Sequence, residues 1–513
     1  MAFCCGAHQA TEKTILTINV EPTMKNYING QWCDSVTKRT FDNVNPADTR
    51  DVIGAFPLSN ADDVATAVDA ATSAFNAWRL MPAPKRGDIL RIAGDIFTRR
   101  KDELAAIMTR EMGKTLAETK GDIQEAIDTA YYAATETRRL FGYNAPSEMN
   151  NKMNMSFRMP IGVCGIITAW NFPIAVPSWK ILPALACGNT VVFKPSDDSP
   201  HSANIFAEIL EEAGLPTGVF NVVHGKAEAG SAIVEHPNVR VVGFTGSTTT
   251  GNAIAARCGA LNKKVSLEMG GKNAQIVMPD ADIDLAIHGV LWGAFGTTGQ
   301  RCTATSRLIL HAAIHDTFIT ELTKQASELV LGNGLTSAAA QVGPVINKRQ
   351  LDKIMSYIEI GKSEATCVLG GERDLAGENA NGYFVKPTIF TDVERTDRIF
   401  QEEIFGPVLS VAKATSFEHA IDLANDSAYG LSSSIYTRDV NAAFRAIRDV
   451  EAGITYINAP TIGAEAHMPF GGIKGTGNGH REGGWTVFDI FTEWKTVYVD
   501  FSGTLQRAQI DNY

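Results

Sequence analysis

The chain has 513 residues, 44% hydrophobic and 20% charged, a soluble globular composition too long for one core, so two or three domains are expected. A net charge of -11, from 46 basic against 57 acidic residues, excludes the electropositive footprint of a nucleic-acid binder. No apolar run reaches the roughly 18 residues of a membrane span, and eight irregularly spaced cysteines make no disulfide framework, so a reducing, cytoplasmic setting is expected.

The first 23 residues (MAFCCGAHQATEKTILTINVEPT) lack the basic and apolar regions of a secretory signal, and Ala2 rules out N-myristoylation. They read as a disordered tail ahead of Met24. From Tyr27 the run YINGQW places Asn-Gly between apolar flanks, a type I′ hairpin signal. Asn60 then caps a helix whose apolar positions are Val64, Val68, Ala71, Phe75 and Trp78. A second helix follows Pro84 with Ile89, Ile92 and Ile96, a third begins near Lys101, and a fourth runs from about Asp122 to Leu140. Met153 to Pro160 alternates and reads as a strand that leaves the domain it starts in.

After Gly162 buried strands alternate with helices. The strands expected are Val163–Thr168, Thr190–Lys194, Val219–His224 and Val239–Thr245, far enough apart for a crossover helix each time. This is a doubly wound parallel α/β sheet, whose ligands bind at the carboxyl ends of the strands. The fourth strand runs into GFTGSTTTGNAIA, where Gly246 and Ser247 open a helix able to face a phosphate. It is neither a G-x-G-x-x-G fingerprint nor a Walker A loop, because Asn252 stands where the lysine belongs.

A second α/β block starts at Asn273, with strands at Gln275–Met278, Arg307–Leu310 and Val408–Ala412 and a helix over His315–Leu331. Asp280, Asp282 and Asp284 open a helix and read as caps rather than metal ligands. His311 and His315 fall at a strand-to-helix join with no H-E-x-x-H or C-x-x-C nearby, so no metal site is expected. The run Phe491 to Phe501 (FTEWKTVYVDF) is aromatic and β-branched, a late strand of the kind that pairs with another chain.

One stretch, Thr297 to Ser306 (TTGQRCTATS), sets a cysteine among small and polar neighbours where a core cysteine would have aliphatic ones. A thiol is a good nucleophile once ionised. AWNFP (169–173), FKPSDDSP (193–200), LEMGGKN (267–273), EEIFGP (402–407) and PFGGIKGTGNGHREGG (469–484) share its polar-among-glycine character. Together, in this order and spacing from about Tyr27 to Val499, they resemble the NAD(P)-dependent aldehyde dehydrogenase superfamily.

The resemblance implies an α/β fold of two doubly wound parallel-sheet domains with a small β oligomerisation arm. The cofactor domain would span 24–142 and 161–270, the catalytic domain 271–475, and the oligomerisation strands 143–160 and 488–503. Cys302 matches the family nucleophile, Asn171 the oxyanion-hole amide and Glu268 the general base. Lys194 matches the lysine that reaches the adenosine ribose and Glu403 the carboxylate that holds the nicotinamide ribose, with Trp170 and Phe405 lining the crevice and Gly246 and Ser247 at the phosphates. Asp197 stands where NAD-preferring members carry Glu; its carboxylate favours NAD, and its shorter reach leaves NADP open. For the substrate, Arg301 precedes the nucleophile, and Phe172, Trp179 and Glu465 of TIGAE (461–465) match the substrate mouth. GQRCT and GAE are similar to the antiquitin branch, which oxidises aminoadipate semialdehyde, and GQRCTATSR to enzymes acting on 2-oxoglutarate semialdehyde. A homo-oligomer, dimer or tetramer, is implied.

A thiol hydrolase needs a histidine to activate Cys302, and none lies in a matching motif. A CoA-acylating enzyme usually lacks the base matched by Glu268. A non-catalytic binding or structural protein of this fold would have lost Cys302, Glu268 or Asn171, and all three are present.

Overall fold

The computed structural model describes residues 24–510, and the tail expected over residues 1–23 lies outside them. Two seven-stranded sheets and a three-stranded antiparallel one organise the chain. The first large sheet has the order Lys264–Glu268, Val239–Thr245, Val163–Ile167, Thr190–Lys194, Phe220–Val222, Asn26–Ile28, Gln31–Cys33. Its first five strands are parallel. Val163–Ile167 and Thr190–Lys194 are buried at every position, as a sheet covered by helices on both faces requires. The hairpin adds antiparallel to the sheet edge, with Tyr27 opposite Val222. Asn29 and Gly30 both take positive φ, 52° and 72°, which is the I′ turn expected from Asn-Gly.

The helices before the sheet start where chemistry allows. Asn60 accepts hydrogen bonds from the N–H groups of Asp62 and Asp63 and forms a capping box with Asp63 at the head of Ala61–Leu80. The fourth helix is Leu116–Glu136, six residues earlier than the apolar spacing alone implies, because Thr115 and Glu118 form a second capping box. On Ala83–Arg99, Ile92 is solvent-exposed while Leu90, Ala93, Ile96 and Phe97 are buried. That helix packs on both Leu116–Glu136 and Pro200–Glu212, and its buried stripe follows those neighbours.

The second large sheet has the order Thr366–Leu369, Thr388–Thr391, Val408–Ala414, Thr305–His311, Asn273–Val277, Ser432–Tyr436, Ile454–Ile457, parallel except for the first pair. Asp282 caps Ile283–Phe295 through Leu285 N–H, with Asp284 in the first turn. Asp280 does something else: its carboxylate accepts from Thr437 Oγ1 and from the N–H groups of Arg438 and Asp439, tying two loops together.

The third sheet joins Thr492–Asp500, Lys152–Pro160 and Asn144–Pro146. The late strand, expected to pair with another chain, pairs along one edge with its own, from Thr492 opposite Pro160 to Asp500 opposite Lys152. The two segments are equally long, nine residues each, so the ladder runs unbroken along both. Its other edge pairs with no strand among the described residues.

The two large sheets meet at a cleft with opposite polarity. The first sheet presents carboxyl ends there, at Ile167, Lys194, Thr245 and Glu268. The second presents amino ends, with Glu403 and Phe405 ahead of Val408 and Cys302 ahead of Thr305. The rule that ligands sit at carboxyl ends therefore holds for the first sheet alone. Among the described residues no helix is long and apolar enough to cross a membrane.

Candidate active site

The helix Ile283–Phe295 ends and the chain reverses through the short 3-10 turn Gly296–Gly299. Thr297, Thr298 and Gly299 have φ of 52°, 59° and 65°. The left-handed region costs about 1–2 kcal/mol for each threonine, so this turn exists only because contacts hold it. A Cβ at Gly299 would lie 2.2 Å from the carbonyl oxygen of Gly406, so only glycine fits there. Thr297 N–H and Oγ1–H donate to Glu118 Oε1, and Thr298 Oγ1–H donates to the Gly343 carbonyl at 2.9 Å. Gln300 Oε1 accepts from Ile346 N–H at 3.0 Å. Asn273 Nδ2 donates to the Cys302 carbonyl at 2.7 Å and to that of Ala304 at 2.9 Å. Cys302 emerges half-buried on the wall of the cleft.

Asn171 follows the strand Val163–Ile167 and is buried. Its Nδ2 donates to the Gln300 carbonyl at 3.1 Å, which registers the amide two residues before Cys302 and leaves its second N–H for another acceptor. Such an amide donates at any pH.

Glu268 ends the strand Lys264–Glu268, its carbonyl accepting from Gly246 N–H at 3.1 Å. Its carboxyl group is buried, and neither oxygen meets a donor among the described residues. Burial pushes it up to about 8, against the pull of Lys180 and Arg481. The Cys302 thiol is pushed up to about 12 by burial and by the Glu268 and Glu403 carboxyls. Lys180, on Ala175–Cys187, pairs with the buried Glu482 and is pushed down to about 7 by burial, with Glu268 and Cys302 opposing. The glycines of LEMGGKN make room: a Cβ at Gly270 would lie 2.6 Å from Glu403 Oε2, and one at Gly271 2.4 Å from the Cys302 carbonyl. The reading from sequence missed Lys180 and Glu482. A lone lysine inside the apolar helix AVPSWKILPALAC was the signal available.

Two adjoining cavities, of about 400 and 510 Å³, extend from Cys302 along the carboxyl ends of the first sheet. Trp170, Asn171, Lys194, Asp197, Gly246, Ser247, Glu403 and Phe405 line the nearer one. Ser247 caps the helix Thr248–Ala260 through Thr250 N–H, so that helix points its amino end into the cavity. Trp170 and Phe405 meet edge to face at 5.4 Å. Glu403 Oε1 accepts from Gly271 N–H at 2.9 Å, and burial holds its carboxyl above the usual range. Lys194, whose Nζ donates to the Pro195 carbonyl at 2.6 Å, is pushed down to about 8 by burial. Lys194 and Asp197 also line the farther cavity with Lys226, Gly230 and Val234. The volume, a helix amino end for phosphates, and buried carboxyl and ammonium groups for ribose hydroxyls fit a dinucleotide.

The sequence profile of the aldehyde dehydrogenase family matches residues 32–497. The chain belongs to that family. Over 484 residues it is 42% identical to the alpha-ketoglutaric semialdehyde dehydrogenase of Bacillus subtilis (strain 168), covering 94% of this chain and 99% of that one. The betaine aldehyde dehydrogenase of Staphylococcus aureus, solved in complex with NAD+, superposes with a TM-score of 0.92 at 34% identity, covering 94% of this chain and 96% of that one. An E. coli NADP-dependent enzyme gives 0.90 at 37% identity, covering 94% and 98%. As an aldehyde dehydrogenase, the protein oxidises an aldehyde with a nicotinamide cofactor.

The substrate candidates of this aldehyde dehydrogenase divide. Arg301 is mostly buried, its Nε donating to Thr297 Oγ1 at 2.8 Å and a terminal nitrogen 3.9 Å from Glu118 Oε1. Its guanidinium sits over the rings of Trp292 and Phe172, 4.9 and 5.4 Å from their centroids. Phe172 also carries Lys114 Nζ 3.3 Å above its ring, and Lys114 pairs with Asp122 at 2.8 Å, both side chains fully buried. Trp179 is buried and packs edge to face on Phe470 at 4.7 Å. Glu465 stands apart on an exposed loop, paired with His467 at 3.2 Å.

Proposed function

We propose that this aldehyde dehydrogenase oxidises a carboxylate-bearing semialdehyde, of the 2-oxoglutarate semialdehyde class, to the dicarboxylic acid, with NAD as the preferred acceptor. The observation that carries this reading is Arg301, a guanidinium next to Cys302 whose Nε is anchored on Thr297 while its terminal nitrogens have, among the described residues, no hydrogen-bond partner closer than the 3.9 Å ion pair with Glu118. Identity to an alpha-ketoglutaric semialdehyde dehydrogenase supports it.

Cys302 Sγ adds to the aldehyde carbon, because a bare aldehyde is a poor hydride donor and a tetrahedral adduct a good one. The oxyanion that forms is met by the free N–H of Asn171 and the backbone N–H of Cys302; losing one such donor costs about 2.7–4 kcal/mol. NAD, when bound, supplies the hydride acceptor. Glu268 takes the thiol proton, releases it to solvent, and as a carboxylate again takes that of the water that hydrolyses the thioester. A buried base beside Cys302 favours water over CoA as the acyl acceptor. The first sheet and its helices form the cofactor domain, the second the catalytic one. Asp197, on the adenosine side, disfavours a 2′-phosphate, and Lys226 Nζ, 3.8 Å away, partly offsets that, so NADP is accepted less well.

The protein works as a homo-oligomer in the cytoplasm. Exposed Val440, Phe444 and Ile447 make an apolar face on Val440–Asp449, and Thr492–Asp500 offers an edge that is unpaired among the described residues. The six cysteines among the described residues are all free, as a reducing compartment keeps them.

Kinetics test the substrate assignment. A charge-assisted hydrogen bond contributes about 1.5–3 kcal/mol, so the carboxylated counterpart of hexanal should exceed hexanal in kcat/KM by about ten- to hundredfold. Arg301→Leu should erase the difference, and NAD should outperform NADP with either aldehyde. Equal efficiency for the two aldehydes in the parent would contradict the assignment.

The pH dependence follows from Glu268. Below about 8 its carboxyl is protonated and cannot act as a base, so turnover should climb as pH rises through about 8. A profile flat between pH 6 and 9, measured at saturating substrates, would remove Glu268 from that role.

Light scattering tests the assembly. The parent should run as a dimer or tetramer, and Phe444→Glu should shift it toward monomer; a monomeric parent would refute the reading.

A further inference from the structure

We propose that Glu118 is a positioning residue for the nucleophile, holding the left-handed turn that aims Cys302 from the far side of the cleft. The proposal rests on Cys302 being the nucleophile.

Glu118 belongs to the helix Leu116–Glu136, and 179 residues separate it from the turn it holds. One carboxyl oxygen, Oε2, closes the helix's own capping box, accepting from Thr115 N–H at 3.0 Å and from Thr115 Oγ1–H at 3.0 Å. Capping asks nothing of the other oxygen. Yet Oε1 accepts from Thr297 N–H and from Thr297 Oγ1–H at 3.3 Å. Thr297 is the first residue of the left-handed run, and its N–H opens the 3-10 turn, where no backbone carbonyl within the turn can reach it. Thr297 Oγ1 in turn accepts from Arg301 Nε at 2.8 Å, so the same contact fixes the residue beside Cys302.

The other holds on the turn named above come mostly from the catalytic side: the Gly343 carbonyl on Thr298, Ile346 N–H on Gln300, and Asn273 on the Cys302 carbonyl. Glu118 fastens the turn to the helices of the cofactor side. A shift of the turn by about 1 Å moves Sγ relative to Asn171 and Glu268, and misplacement of that size costs about a hundredfold in rate.

The chemistry of the contact dictates the variant. Four donors converge on Glu118, two at each oxygen, and a carboxyl group with acceptors at both ends meets them all. Glu118→Gln has one acceptor end, so an NH₂ group must face donors either in the helix cap or in the turn. Thr297→Ala removes the hydroxyl from the turn side and leaves the capping box intact.

The experiment measures the NADH burst rate constant and the Kd for NAD in the parent, Glu118→Gln, Thr297→Ala and the double variant, with Cys302→Ala as reference. Each single variant should slow the burst by about tenfold or more while the NAD Kd stays within about twofold. The double variant should fall no further than the slower single one, because both changes act on the same contact. A burst at the parent rate in either single variant, or losses that multiply in the double variant, would overturn the proposal. If Glu118→Gln does not fold, Thr297→Ala decides alone: a burst slowed about tenfold supports the proposal and the parent rate overturns it. A full burst from Cys302→Ala would instead remove the nucleophile assignment itself; an inactive Cys302→Ala beside parent-like Glu118 and Thr297 variants overturns only the positioning role.

Discussion

The constraint on which this site depends is a run of left-handed backbone, Thr297 to Gly299, a short way ahead of Cys302. A helix that simply ran on would carry Cys302 into the second sheet's helix layer. A reversed turn instead delivers it to the cleft, where the carboxyl ends of one sheet face the amino ends of the other. Two threonines in a region that disfavours side chains make this turn intrinsically unstable. It persists because hydrogen bonds from Glu118, Gly343, Ile346 and Asn273 converge on it from both large bodies of the molecule. The large sheets supply the rigid frame from which such contacts can be made, their central strands Val163–Ile167, Thr190–Lys194 and Asn273–Val277 buried at every position.

The same burial sets the electrostatics. Glu268 and Cys302 are both pushed upward and Lys180 downward, each chiefly because its charged form is deprived of water. The resting site therefore favours neutral groups, and charge develops there as the reaction proceeds. Because Glu268 is itself neutral below about 8, its share of the upward push on Cys302 fades there. Carboxyl and thiol are in this sense one coupled system. The Lys180 amine, beside the buried Glu482, lies close to both and is held toward its neutral form by the same burial.

Much of this was legible in the sequence where local chemistry decides structure. Asn-Gly at 29–30 announced the hairpin, Asn60 the first helix, and the apolar runs the central strands. The loop around Cys302 and the glycine-rich stretches LEMGGKN and GFTGS, singled out by their polar and glycine character, line one cleft, with Gly246, Gly270 and Cys302 on the wall of the same cavity. What stayed hidden depends on distant partners. Glu118 reads as a helix cap until Thr297 is brought against its second oxygen, and Asp280 reads as a cap until the loop at Thr437 closes on it. The ladder that the late strand makes within its own chain was hidden because its partner there, Lys152–Pro160, lies more than 300 residues earlier. Ile92 had the right periodicity and the wrong side, since the neighbouring helices, not the helix itself, choose the buried stripe. Glu465, matched to the substrate mouth by resemblance, lies on an exposed loop beside His467.

The central claim is a covalent acyl group on Cys302 released by Glu268. Intact-protein mass spectrometry of Glu268→Gln, mixed with NAD and the aldehyde and quenched in acid, tests it most directly. The account predicts a protein heavier by one acyl group, with the added mass on the peptide containing Cys302. An unmodified protein after NADH has formed, or an acyl group on any other residue, would contradict it.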